Sequence, residues 1–116
     1  MWASTLKGLI IHTAEDLGTT GPDYAYGWGL LNTLAAAELL EDYASPNPMR
    51  LIEAELLSST PSHSYAVAST GNEGLRVTLC WTDPAASSQS GNDDRTPDLV
   101  NDLDLMVIGP GGTNYP

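Results

Sequence analysis

The sequence predicts an α+β chain: a helical first third over residues 1–44, a break at 45–48, and an antiparallel β-region over 49–116. Three observations carry this. Apolar residues recur at helical spacing as far as Tyr43. The run Ser45-Pro46-Asn47-Pro48 then interrupts the pattern. Beyond it, apolar and polar residues alternate with the period of a half-buried strand.

Ser4 offers a capping hydroxyl, and Leu6, Leu9, Ile10, Thr13 and Leu17 follow on one stripe, which predicts a helix over 4–17. Gly18 is placed to end it in the left-handed conformation. Glu15 and Asp16 lie at its carbonyl end, an unfavourable position against the helix dipole by roughly a few tenths of a kcal/mol. Gly21-Pro22-Asp23 reads as a turn. Gly27 and Gly29 flank Trp28 with no strand before them and no basic residue after. They read as a turn that lets backbone pack closely, and not as a phosphate cradle. Asn32 is a second cap, and Thr33 to Tyr43 a second helix. Leu34, Ala35, Ala36, Ala37, Leu39, Leu40 and Tyr43 leave only Glu38, Glu41 and Asp42 as a polar strip. A helix apolar on most sides is normally buried in a large protein. The rest of this chain hardly has the bulk to bury it, so the expectation is that it belongs to a larger folded unit.

In the β-region, Ile52, Ala54 and Leu56 oppose Glu53 and Glu55, and Tyr65 and Val67 alternate with Ser64 and Ala66. After the turn Thr70 to Gly74, Leu75, Val77, Leu79 and Trp81 alternate with Arg76, Thr78, Cys80 and Thr82. Trp81 thereby falls on the apolar face and Cys80 on the wet one. Leu103, Leu105 and Val107 repeat the pattern against Asp102, Asp104 and Met106, and Gly109-Pro110-Gly111-Gly112 ends that strand. Short connections suggest a meander whose fourth strand spans 101–108. The 17 residues between Asp83 and Asn101 form a long loop, which is usually functional or mobile.

Composition narrows the function. Fifteen acids stand against Lys7, Arg50, Arg76 and Arg95, a formal charge of −11. So few cations exclude a nucleic-acid partner and an anionic membrane surface. Cys80 is the one cysteine, so no intrachain disulfide forms, which is neutral about compartment. No stretch approaches the ~20 apolar residues of a membrane span, and Leu9-Ile10-Ile11 is too short for the core of a signal peptide.

Three pieces of the chain resemble one family. Leu6-Lys7-Gly8-Leu9-Ile10-Ile11-His12-Thr13-Ala14-Glu15-Asp16-Leu17-Gly18 resembles the helix that follows the nucleophile helix of subtilisin-like serine proteases. Tyr26-Gly27-Trp28-Gly29-Leu30-Leu31-Asn32 resembles their Gly-aromatic-Gly turn and the Asn that opens the last catalytic-domain helix. Trp81-Thr82-Asp83-Pro84 and Val100-Asn101-Asp102-Leu103-Asp104-Leu105 resemble the C-terminal β-sandwich of one subgroup. The resemblance implies that residues 1–44 end a subtilisin-like α/β catalytic domain. Residues 49–116 would then begin a truncated, jelly-roll-like β-sandwich.

The parent would be an endopeptidase acting outside the cell or in the periplasm. Its Asp, His and Ser triad and oxyanion Asn would lie upstream of Met1, because no Gly-Thr-Ser-Met-Ala segment occurs here. This chain alone is then expected to be inactive and structural. Its partner would be the rest of the protease domain, and in isolation it would self-associate. The alternative is an autonomous β-sandwich module that binds calcium, protein or polysaccharide.

Within the chain, Ser4 reads as a cap, His12 as a structural or surface residue, and His63 as exposed. The one group with a positive case is acidic: Asp83, Asp98, Asp102 and Asp104, with Asp93 and Asp94 in the same loop. Asp102 and Asp104 share a strand face at roughly 7 Å. Five of the twelve residues from Asp93 to Asp104 are acids. Crowded carboxylates repel, and calcium, which takes six to eight oxygens, reverses the sign of that interaction. The bland competitor is a solvated acidic loop.

Overall fold

The computed structural model describes residues 1–45, 50–54, 62–69, 71, 74–88, 91–93 and 95–115. They form two compact units, Met1–Cys80 and Trp81–Pro116. Most of the expected linker, 46–48, lies outside the described residues.

In the first unit, helix α1 spans Ala3–Thr13 and helix α2 spans Thr33–Tyr43. The two helices pack on each other. The expected cap Ser4 is instead buried inside the first turn of α1. The N-cap is Trp2, which makes no side-chain cap bond. The helix also stops four residues before Leu17. Ala14 turns extended, and Glu15 exchanges two backbone hydrogen bonds with Leu30, at 2.9 and 2.8 Å. A residue paired this way cannot continue a helix, so a long-range pairing sets the end. Gly18, expected to end α1, sits in the loop beyond it.

That loop is built on Asp23, whose carboxylate accepts N–H bonds from Thr19, Ala25 and Tyr26 at 3.2, 2.9 and 2.7 Å. These bonds hold its carboxyl below the usual range, the Tyr26 amide contributing most. Asp23 and Gly27 also exchange backbone bonds. Gly29 makes the close approach that its sequence setting suggests. Its φ is +99°, and a Cβ there would lie 2.0 Å from the Glu15 carbonyl oxygen.

α2 opens as expected. The Asn32 side-chain oxygen Oδ1 accepts the Ala35 N–H at 2.9 Å, and its side-chain NH2 donates to the Glu15 carboxylate at 2.8 Å. No residue of α2 is buried. Among the described residues the buried apolar core is Leu9 and Ala14.

In the second unit, β1 (Val107–Gly109) pairs antiparallel with β2 (Gly112–Asn114) in the register Val107↔Asn114, Ile108↔Thr113, Gly109↔Gly112. Pro110-Gly111 thus turns a hairpin rather than merely ending a strand. This hairpin is the one sheet among the described residues, and no sandwich is seen. The described parts of the expected strands at 52–56, 64–67 and 75–82, and residues 101–106, join no ladder. Alternation assigns faces to a strand, but it does not supply the hydrogen-bonding neighbour that a ladder requires. Trp81, expected in a core, is exposed, and Cys80, expected on a wet face, is half-buried. A Cβ added to Gly8 of α1 would lie 3.4 Å from the Cys80 Cβ. Among the described residues no helix is long and apolar enough to cross a membrane.

Candidate functional site

Asp83 lies at the base of the long loop. One carboxylate oxygen accepts the Val100 N–H at 2.7 Å. The other accepts the Asn101 N–H at 2.9 Å and the Asn101 side-chain amide at 2.8 Å. Burial alone would raise the Asp83 carboxyl, but these three bonds outweigh it and hold the group below its ordinary value. The carboxylate therefore clasps the two ends of the loop together. Asp98, Asp102 and Asp104 are exposed, as is Asp93, whose φ of 56° is one that Asp tolerates. Asp94 lies outside the described residues. Among those described, no three His, Cys, Asp or Glu residues come together in a way that could hold a metal ion.

Two charged residues not singled out for a site organise the first unit. Glu53 accepts the Trp2 N–H at 2.7 Å, a short hydrogen bond from the Thr5 hydroxyl, and the Tyr43 hydroxyl at 2.9 Å. The terminal amine of Met1 stands 3.9 Å from the same carboxylate. The Thr5 hydroxyl does most to hold the Glu53 carboxyl below its usual range, followed by the Trp2 amide. Burial opposes them, and Tyr43 and the amine add to the lowering. The same contact pushes the Tyr43 phenol up. At the other end of α1, Arg76 donates to the carbonyls of His12 and Ala14 at 3.0 and 3.4 Å.

His12 is half-buried, and its Nδ1 lies 2.9 Å from the Thr78 hydroxyl. Burial, and then the Arg76 charge, lower its pKa and favour the neutral ring. Its partner is a hydroxyl, and no acid orients the ring among its described contacts. Among the described residues, no nucleophile–base–acid arrangement of a hydrolase is assembled around His12. His63 is exposed, as expected, with its ring stacked on Tyr65. A shallow apolar groove open to solvent runs along α1, lined by Ala3, Leu6, Lys7, Ile10, Ile11 and Trp28.

Sequence reading passed over Glu53 because it sat in an alternating strand pattern, and Arg76 for the same reason. The available signal was a missing one. The first turn of α1 has no acid, and its last turn has only His12 as a base.

The chain is 28% identical over 109 residues to a Dictyostelium discoideum protein described as the serine protease/ABC transporter B family protein tagA. The match takes in 91% of this chain and spans 6% of the length of that relative. No protein-family model matches the chain, and no solved structure matches it.

Proposed function

We propose that this chain is a segment of a subtilisin-like serine endopeptidase that works outside the cell or in the periplasm. It contributes the last two helices of the catalytic domain and the opening of a C-terminal β-sandwich. Its own part is to brace the protease domain, and peptide hydrolysis belongs to a triad carried elsewhere. The observation that carries this reading is the match to a serine-protease-containing protein across 91% of the chain. Two details agree with it. Asn32 caps α2 directly after the Gly27-Trp28-Gly29 turn, and α2 keeps an apolar surface uncovered for a larger partner.

The coding sequence upstream of Met1 tests the proposal. A Gly-Thr-Ser-Met-Ala segment within about two helix lengths supports it, and the lack of any such segment in the full gene sinks it. The 116-residue chain should be inert to fluorophosphonate probes. The same chain joined to its upstream sequence should label at one serine.

We extend the proposal to calcium, with Asp83, Asp98, Asp102 and Asp104 as ligands. The acid pattern supports this; the four carboxylates are not gathered in the structure, so an ion would have to draw the loop in and share Asp83 with its Val100 and Asn101 donors. Thermal melts in millimolar calcium, magnesium or EDTA test it, with Asp102→Asn plus Asp104→Asn as control. At a hundredfold excess over Kd, binding to the folded state adds about 2.7 kcal/mol. A melting temperature indifferent to calcium removes this part and leaves the protease reading standing.

A further inference from the structure

α1 has little capping of its own: at its carbonyl end the Ala14 N–H returns to the Ile11 carbonyl and the Thr13 hydroxyl donates to the Leu9 carbonyl, and its amide end has no local side-chain cap. Its N-cap makes no side-chain bond, its first turn holds no acid, and the base in its last turn is a half-buried His12. A helix of 11 residues is marginal in water without support. Both ends are closed from far along the chain. Glu53 receives the N-cap N–H of Trp2 and the hydroxyl of Thr5 in the first turn. In a capping box a glutamate three residues into the helix reaches back to the N-cap amide. Here a glutamate 48 residues beyond Thr5 does so. Arg76 meets the carbonyls of His12 and Ala14 at the far end. The signs match the helix dipole, anion at the amide end and cation at the carbonyl end. Glu53 also takes the Tyr43 hydroxyl, which ties α2 to the same point.

We propose that Glu53 and Arg76 form a two-ended clamp that makes the order of α1 conditional. The helix holds only while the segments 50–54 and 74–80 are seated on its two ends. The helix pair is then not a self-sufficient module. Its first helix is completed by residues beyond the Ser45-Pro46-Asn47-Pro48 break.

Residue-resolved amide hydrogen exchange on the full chain tests this, comparing wild type with Glu53→Ala, Arg76→Ala and the double variant. Each single change should speed exchange of the α1 amides by about tenfold, the size of a lost helix cap. The double change should speed it further, with the α2 amides much less affected. Tyr43→Phe, which removes only the link to α2, should leave α1 unchanged. The clamp is overturned if α1 exchanges at the wild-type rate in the double variant, or if α1 and α2 lose protection in step. Should the alanine variants not fold, Thr5→Val and Glu53→Gln read the same contact more gently. They should loosen the first turn of α1, and no change there also overturns the clamp.

Discussion

Helices α1 and α2 are each 11 residues long, but different interactions support them. α2 is capped by its neighbours: Asn32 closes its start, and the Ala44 N–H returns to the Leu40 carbonyl at its end. None of its residues is fully buried, and Leu34 is 70% exposed. α1 has no side-chain cap of its own at its start. It contributes Leu9, 5% exposed, and its C-cap Ala14 is 7% exposed. The difference separates two properties. Caps from adjacent residues decide where a helix begins, whereas burial and long-range bonds decide how much of the molecule depends on it.

The sharpest test of that separation is Leu9→Ala against Leu34→Ala. Removing Leu9 should cost about 3 kcal/mol, enough to melt so small a core. Leu34→Ala should stay within roughly 0.5 kcal/mol. Denaturant titrations that gave equal costs would erase the comparison.

Gly29→Ala follows in size. A Cβ would meet the Glu15 carbonyl at 2.0 Å with φ at +99°, so the Glu15–Leu30 pairing that ends α1 must shift. A loss of about 2 kcal/mol is expected, against about 1 kcal/mol for Gly27→Ala, which has open space but also positive φ. If the two substitutions melt alike, the close approach at Gly29 is not what stops α1.

Asn32→Ala should cost about 1 kcal/mol, and Asn32→Asp should recover only part of it, since Asp keeps the cap but sets a second carboxylate against Glu15. Circular dichroism with amide exchange should place the loss in α2. Loss centred on α1 would show that the Asn32–Glu15 bond matters more than the cap.

Acid distinguishes the two ends of α1 more gently. His12 has a lowered pKa, so its contribution is complete above about pH 6.5 and fades as pH falls through its folded value. Glu53 is also lowered. Its contribution is complete above about pH 4.3 and fades only below that, through its own folded value. Exchange followed from pH 7 downward should therefore loosen the carbonyl end of α1 before the amide end. The reverse order would contradict the roles given to these residues.

Much of the helical part was readable because its signals are local. Asn32, the 33–43 stripe and the glycines around Trp28 act within a few residues of themselves. The end of α1 was misread, since Thr13 is followed by a pairing with Leu30 that no nearby residue announces. Ser4 resembles a cap in one dimension but is a buried residue of the first turn, one position inside the helix after Ala3. The alternation at 75–82 is a pattern of the sequence alone: the segment joins no ladder and Leu75, Val77, Leu79 and Trp81 are all exposed, because a period of two does not supply a strand to lie alongside. In the second unit the interest of Asp83 was visible from its place beside a long acidic loop. Its use was not visible, because the donors that occupy it are the backbone amides of Val100 and Asn101.

That clasp separates the length of the loop from the structure around it. Asp83 and Asn101 are held together by bonds at the mouth of the loop, so the residues between them need not span a set distance. The entropy of closing a flexible loop grows only with the logarithm of its length, about 0.6 kcal/mol for each doubling. A peptide epitope or a protease recognition sequence inserted near Ser87 and Ser88 would lengthen the 17-residue loop while the clasp stays shut. This makes the loop the natural place to graft a reporter onto the chain.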